Sequence, residues 1–362
     1  MESATVSGEM TEHPAPVAEP GGSAWPSVSV IMSVLNEQRH LADTVTAVLG
    51  QDYPGDLEVI IACGPSSDHT EQVAAELAAG DARVRVVSNP SGRTPAGLNA
   101  AFAVSGMPII ARLDGHGVLA PDYVRTAVQV LRDSGADNVG GIMSAQGSTP
   151  FEMAVARAMT SRLGVGNARF HVGGDEGPVD TVYLGVFRRE VLQRLGGYDE
   201  SFQRAQDWEL NHRIRKAGGL VWFSPRLRVA YRPRSTARLL AKQYFNYGRW
   251  RRVVMRQHPD TRLNARYLAP PALVVALAGA GAFAVLGHAV ALVVPGAYGV
   301  ALIAGAAGIG HDLPVAALVR LPVVLATMHC SWGAGFLLSP PRLGDDGQRT
   351  EGSSTDGLAQ RP

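Results

Sequence analysis

Asp114, Gly115 and His116 follow the apolar run Ile109–Leu113, and a carboxylate placed there can hold a divalent cation that neutralises charge developing on a leaving diphosphate. An aspartate in that place can also be a plain turn former. Gln206-Asp207-Trp208-Glu209-Leu210 opens a segment in which Leu210 and Ile214 recur at helical spacing. While that face packs, Asp207 can project into a cleft and act as a general base toward a hydroxyl; a helix-capping aspartate would carry the same local signature. Asn36 and Glu37 end another apolar run, where the Glu37 carboxylate can accept from a base or ribose hydroxyl. Asp68 stands at the start of a helical pattern, a position suited to ribose and phosphate contacts or to simple N-capping.

The elements that must position these residues read as a parallel sheet flanked by helices, because short apolar runs alternate with segments of helical period. The first four strands are expected at Val28–Leu35, Leu57–Ala62, Val84–Ser88 and Ile109–Leu113. Between them Leu41, Val45, Val48 and Leu49 keep helical spacing, as do Val73, Ala74 and Leu77. Asp68 followed by Glu71 predicts a capping box at the second helix. Such sheets bind ligands at the carboxyl ends of their strands, which points to Asn36–Glu37, Cys63–Asp68, Asn89–Thr94 with Arg93, and Asp114–His116.

The net charge of +1 gives no bulk electrostatic case for a nucleic-acid partner. Two distant cysteines, Cys63 and Cys330, exclude a disulfide framework and a CxxC metal site. Residues 1–26 lack an apolar core stretch, so they read as a disordered leader and not a signal peptide. Between Arg226 and Arg266 Asp260 is the only acid among many arginines; such a basic block before a hydrophobic one reads as a cytoplasmic membrane-surface patch. From Leu268 to Ile309 there is no Asp, Glu, Lys or Arg, enough for two spans of about 20 residues each. Spans are expected at Pro270–Gly287, Ala289–Ile309 and Val319–Leu338, with Asp312 and Arg320 in a cytoplasmic loop and the tail outside; a buried helical hairpin is the alternative. Gly279, Gly281 and Ala284 mimic a dinucleotide fingerprint, but no strand precedes them, and they read as helix-packing residues.

Taken together these segments resemble family 2 glycosyltransferases. Val28-Ser-Val-Ile-Met-Ser-Val-Leu-Asn36-Glu37 is similar to their opening strand and Gly64-Pro-Ser-Ser-Asp68-His-Thr70 to their second nucleotide-binding loop. Asp114-Gly-His116 sits where the family keeps its metal-binding DxD, and Gln206-Asp207-Trp208-Glu209-Leu210 resembles the motif holding the catalytic base. Gln243 followed by Arg249-Trp250 is similar, with stretched spacing, to the Gln/Arg/Trp motif of processive members. The match covers approximately Ser27–Arg256 and is similar above all to enzymes that elongate succinoglycan-type exopolysaccharides.

The resemblance implies an α/β fold: a GT-A-like nucleotide-sugar-binding domain with a mostly parallel central sheet, followed by C-terminal transmembrane helices. It implies inverting transfer from a nucleotide-sugar donor to a hydroxyl of a lipid-linked or polysaccharide acceptor. Asp207 would be the base. Asn36, Glu37, Cys63, Asp68, Arg93 and Asp114 would meet the donor, Asp114 and His116 would hold Mn2+ or Mg2+, and Gln206, Gln243, Arg249 and Trp250 would meet acceptor or diphosphate. Two departures matter. Cys63 stands where the family usually has an aspartate that reads the nucleobase, so selectivity for uridine is expected to be weak. His116 replaces a carboxylate; imidazole suits manganese better than magnesium, and a non-ligand role beside the diphosphate is the alternative. The expected organisation is a leader at 1–26, catalytic domain at 27–235, basic juxtamembrane helix at 236–267, transmembrane region at 268–338 and disordered tail at 339–362, on the cytoplasmic membrane with the catalytic domain facing the cytoplasm. A polyprenyl-phosphate sugar transferase of the same fold and a non-catalytic nucleotide-sugar-binding scaffold are the rivals.

Overall fold

The computed structural model describes residues 25–259 and 265–340. The leader expected at 1–26, apart from its last two residues, and the tail beyond 340 lie outside the described residues.

Strands β1 (Val28–Val34), β2 (Leu57–Cys63), β3 (Val84–Ser88) and β4 (Ile109–Arg112) match the four expected strands to within a residue at their ends. All four run parallel in the order β3-β2-β1-β4. Helices α1 (Leu41–Leu49), α2 (Thr70–Gly80) and α3 (Thr94–Val104) connect them. After β4 come β5 (Val118–Leu119), α4 (Tyr123–Ser134), β6 (Asn138–Ala145), α5 (Pro150–Met159), α6 (Arg162–Val165), α7 (Arg169–Val172), β7 (Gly177–Pro178), β8 (Tyr183–Arg188), α8 (Arg189–Leu195), α9 (Gln206–Lys216) and β9 (Val221–Tyr231). The sheet continues past β4 as β8-β6-β9-β5, with β8 antiparallel to both its neighbours and β6 parallel to β9. It is therefore mixed, and its parallel half carries the loops of Asn36–Glu37, Cys63–Asp68, Asn89–Thr94 and Asp114–His116.

The pleat sorts residues between two cores, since successive side chains point to opposite faces. Val28, Val30, Met32 and Val34 of β1 join Val59, Ile61 and Cys63 of β2 under α1 and α4. Ile31, Ile60 and Ile110 point the other way, toward Leu98, Leu210 and Ile214 of α3 and α9. By the same parity Arg112 faces the α9 side.

The capping box expected at Asp68 and Glu71 does not form. Helix α2 starts at Thr70 with His69 as N-cap. Asp68 Oδ1 instead accepts from the Thr70 amide at 3.0 Å, and Oδ2 from the Gln38 amide at 3.2 Å. A competing local bond of this kind is what short polar side chains offer.

Beyond the sheet lie α10 (Ala237–Gln257), α11 (Ala265–Val285), a 3-10 turn at Ala289–Leu292, α12 (Val293–Ile309), α13 (Val315–Leu318) and α14 (Leu321–Leu337). Three helical segments, Tyr267–Val285, Ala289–Ile309 and Val315–Leu337, are long and apolar enough to cross a membrane. Gly279 and Gly281 are not packing residues as expected: a Cβ at either would meet nothing within 4 Å among the described residues. The close helix contacts use other glycines. A Cβ on Gly248 of α10 would fall 2.0 Å from the Trp332 carbonyl oxygen, and one on Gly335 of α14 would fall 2.0 Å from that of Phe245. Small residues let two backbones approach in this way.

Candidate active site

Arg112 occupies the centre of the candidate site. Its side chain is 4% exposed, and a buried guanidinium needs paired charge. It has two partners: Nη2 donates to Asp114 Oδ1 at 3.1 Å, and Nη1 donates to Asp207 Oδ1. The end of β4 and the start of α9, 95 residues apart in sequence, are thereby tied together through one side chain. Both carboxylates keep access to solvent, at 28% exposure for Asp114 and 21% for Asp207.

The local backbone explains how Asp207 reaches this position. Ala205 is the N-cap of α9 in the left-handed region, with φ 62° and ψ 17°, a conformation that costs a non-glycine residue free energy. Asp207 lies in the first helical turn and is not the cap. Glu209 two residues on is buried and bonded to Arg213 at 2.6 Å. Arg213 also donates to the Leu195 and Gly197 carbonyls, which locks α9 against the end of α8. Trp208 packs with Phe202 and Trp250.

Beside Asp114, His116 Nδ1 lies 2.8 Å from Glu37 Oε1, and this bond raises the imidazole above its ordinary pKa. Gly115 between them presses on β1: a Cβ there would meet Val34 Cγ1 at 2.8 Å. Thr44 of α1 donates to the Gly115 carbonyl at 3.1 Å. Glycine is thus required for the loop to close against the first strand.

The two loops after β1 and β2 are laced together. Asn36, with φ 58°, accepts through Oδ1 from the Ser67 amide at 2.8 Å, and the Glu37 amide donates to Thr70 Oγ1 at 2.7 Å. Burial works to raise the Asp68 pKa, but the bonds from Thr70 and Gln38 outweigh it and hold the carboxyl below its usual range. Cys63 is 9% exposed and belongs to the apolar cluster under α1; burial first and Glu71 second push its thiol up to about 11. In a Cys330→Ala variant Cys63 should therefore resist a water-soluble maleimide at pH 8, where such a thiol is on the order of one part in a thousand ionised, and react on unfolding. Prompt labelling of the folded protein would disprove this burial. Arg93 is the N-cap of α3 on the neighbouring loop.

The residues expected at the acceptor side separate into two groups. Gln243 is buried, and its Nε2 donates to Tyr231 Oη at 2.8 Å and to Tyr247 Oη at 3.0 Å. Its Oε1 is buried with no hydrogen-bond partner among the described residues. Trp250 instead packs on Trp208, and the Arg249 guanidinium lies 5.9 Å from the Phe245 ring centroid. Gln206 opens α9 next to Asp207. Sequence reasoning missed Arg112 and Tyr231. The signal for Arg112 was present: a charged residue at the inward position of an otherwise apolar strand.

A mixed sheet with one parallel half, paired carboxylates at the β4 loop and the start of α9, and the surrounding loop network have the form of a GT-A-type domain. Residues 29–196 match Glycosyl transferase family 2. The chain is 31% identical over 315 residues to succinoglycan biosynthesis protein ExoA of Rhizobium meliloti (strain 1021), covering 85% of this chain and 93% of that protein. It is 21% identical over 239 residues, 64% of this chain and 74% of the other, to a dolichyl N-acetyl-alpha-D-glucosaminyl phosphate 3-beta-D-2,3-diacetamido-2,3-dideoxy-beta-D-glucuronosyltransferase of Methanococcus voltae. Mannosyltransferase PcManGT from Pyrobaculum calidifontis, solved with GDP-Man and Mn2+, shares the fold at a TM-score of 0.55 and 19% identity, over 87% of this chain and 88% of that one. The chain belongs to glycosyltransferase family 2 and is an inverting glycosyltransferase.

Proposed function

We propose that this chain is a membrane-seated transferase that moves a sugar from a nucleotide-sugar donor to a hydroxyl of a lipid-linked or polysaccharide acceptor in exopolysaccharide synthesis. The observation that carries the reading is the Arg112 bridge, which holds a donor-side carboxylate, Asp114, and a base, Asp207, at one site. The kinship with a succinoglycan biosynthesis protein over most of both chains supports the polysaccharide assignment.

In the proposed reaction the acceptor oxygen attacks the anomeric carbon from the side opposite the leaving group. The carbon–oxygen bond to the diphosphate breaks and the nucleoside diphosphate departs with the electron pair. The acceptor proton passes to the Asp207 carboxylate, and the anomeric configuration inverts. Glu37 and Asp68, with Asn36 and Arg93, border the nucleoside and phosphates. Cys63, an interior thiol, gives no carboxylate to read a base. Gln243, whose buried carbonyl has no partner among the described residues, lines the acceptor side, with Gln206 nearby.

A divalent cation fits this donor set. Asp114 offers an anionic oxygen and His116 an imidazole, a pair that suits manganese. No group of three or more His, Cys, Asp or Glu among the described residues could hold an ion, so donor oxygens and water would supply the rest of its shell. When bound, the ion would neutralise charge on the leaving diphosphate.

For the chain as a whole we infer a catalytic domain at 27–235, a basic juxtamembrane helix at 236–267 and a membrane region at 268–338, with the catalytic domain facing the cytoplasm. The test is a panel of nucleotide sugars offered to the purified full chain with Mn2+ or Mg2+. One nucleotide class should be bound and hydrolysed, and Asp114→Asn should abolish turnover while the fold survives. Full activity of that variant, or of the wild type in excess EDTA, would sink the cation assignment; absence of binding to every donor would sink the function.

A further inference from the structure

Three crossings would put the C-terminal tail opposite the catalytic domain, but the contacts of α14 argue against a crossing by that helix. Its first half, at Leu321, Leu325 and Met328, shares a core with Val155 and Met159 of α5. In mid-helix His329 Nε2 lies 2.8 Å from the Leu163 carbonyl oxygen of α6. At its end the Phe336 and Leu337 carbonyls each accept from Arg252 Nη1 at 2.9 Å, and Arg256 donates to the Pro340 carbonyl at 2.6 Å. The segment before α14 is fixed as well, by the 2.7 Å pair of Arg157 with Asp312. The first half and middle of α14 are thus held by the catalytic domain and its end by α10.

Helix α10 runs beside α14 in the same direction, from Leu240 and Tyr244 in the shared core to Arg256 at the C-terminal end. If α14 crossed the bilayer, α10 would have to accompany it. That helix carries Arg238, Lys242, Arg249, Arg251, Arg252 and Arg256 along its length, and each basic residue near the bilayer centre costs roughly 2.5–3.5 kcal/mol on insertion scales. Helices α11 and α12 have no such companion. Helix α11 meets α14 where Pro270 lies over Gly333 and Tyr267 stacks on Trp332, and α12 meets it through Leu302 and Ala306 in the core with Leu321 and through the Tyr298 hydroxyl, 3.0 Å from His329 Nδ1. Their far ends expose Phe283, Val285, Leu286, Val290 and Val293.

We propose that the chain crosses the bilayer twice, by α11 and α12, and that α14 lies along the membrane surface with its outward side against lipid. Val315 of α13, Val319 in the turn before α14 and Val323 in its first turn are all exposed and form an apolar edge at the start of that helix, exposed Leu338 lies just past its end, and the neighbouring arginines of α10 suit anionic headgroups. The C-terminal tail then emerges on the same side as Asp114 and Asp207. This rests on the membrane attachment proposed above.

The test places single cysteines in the full chain after Cys63→Ala and Cys330→Ala: Gln72→Cys in the catalytic domain, His288→Cys between α11 and α12, and Ser354→Cys in the tail. Intact cells are treated with a membrane-impermeant maleimide, then permeabilised. Position 288 should label in intact cells, and positions 72 and 354 only after permeabilisation. Labelling of 354 in intact cells would overturn the proposal in favour of a third crossing, and shielding of 288 would overturn the two-crossing hairpin. Should the cysteine variants fail to accumulate, a fluorescent reporter and, separately, alkaline phosphatase joined after Pro362 of the natural sequence read the same side: fluorescence with an inactive phosphatase is expected, and a dark fluorescent fusion with an active phosphatase fusion refutes it. Release of the whole chain by alkaline carbonate would show instead that the membrane attachment itself is wrong.

Discussion

Asp207→Asn should bind donor almost normally and transfer sugar about 10²–10⁴-fold more slowly, the range general-base removal gives. The substitution keeps the side chain's size and an oxygen that can accept from Arg112. The N-cap of α9 is Ala205, and Glu209 with Arg213 anchors the helix, so loss of the Asp207 charge leaves the helix in place. Loss of transfer with intact donor binding therefore reports on proton removal and not on folding. A phosphate acceptor is already anionic and needs no base. Near-normal transfer by the variant would reject the hydroxyl acceptor and favour a polyprenyl-phosphate sugar transferase. Donor binding and transfer must be measured on one folded preparation.

Arg112→Met should destabilise the protein by about 3–5 kcal/mol, the usual cost of breaking a buried charge pair by removing one partner. It leaves the carboxylates of Asp114 and Asp207 facing each other without the cation that separates them. For a domain of this size that is a fall of roughly 6–20 °C in thermal midpoint. Transfer should fall with it even well below that midpoint, because misplacement of a base by an ångström can cost about 100-fold. Arg112→Lys separates the two effects: an ammonium restores the charge but cannot fork to both oxygens. It should recover much of the stability while kcat stays low and donor KM changes less. Full recovery of kcat by lysine would mean that charge alone matters and that the fork does not position the base.

Much of this site was legible from residue order. Apolar runs ending in polar residues placed β1 to β4, and the positions just after them supplied Glu37, Asp68 and Asp114. The Leu210 and Ile214 spacing placed Asp207 on a helix whose other face packs. What the sequence hid were contacts between distant segments. The parity of β4 marked Arg112 as inward-facing, but nothing local says that its guanidinium is tied to residue 207. Asp68 had the spacing of a capping box, yet the Gln38 amide across the loop competed for its carboxylate. Gly279 and Gly281 looked like packing residues because composition cannot tell which face of an apolar helix meets protein. The basic stretch after Arg226 was one patch by composition. In three dimensions it divides, with Gln243 bonded to Tyr231, Trp250 packed on Trp208, and Arg252 at the end of α14.

The core that joins Met143, Ala154 and Tyr244 to Leu302, Leu321 and Met328 also bears on how the protein is made. Half of that core belongs to α12 and α14, which leave the ribosome after the catalytic half. Until they arrive, the apolar sides of α5 and α10 have no partner, and unpartnered apolar surface invites aggregation. Maturation of the catalytic half must therefore wait until α12 and α14 have been made, and a truncation before α11 would yield a sticky intermediate.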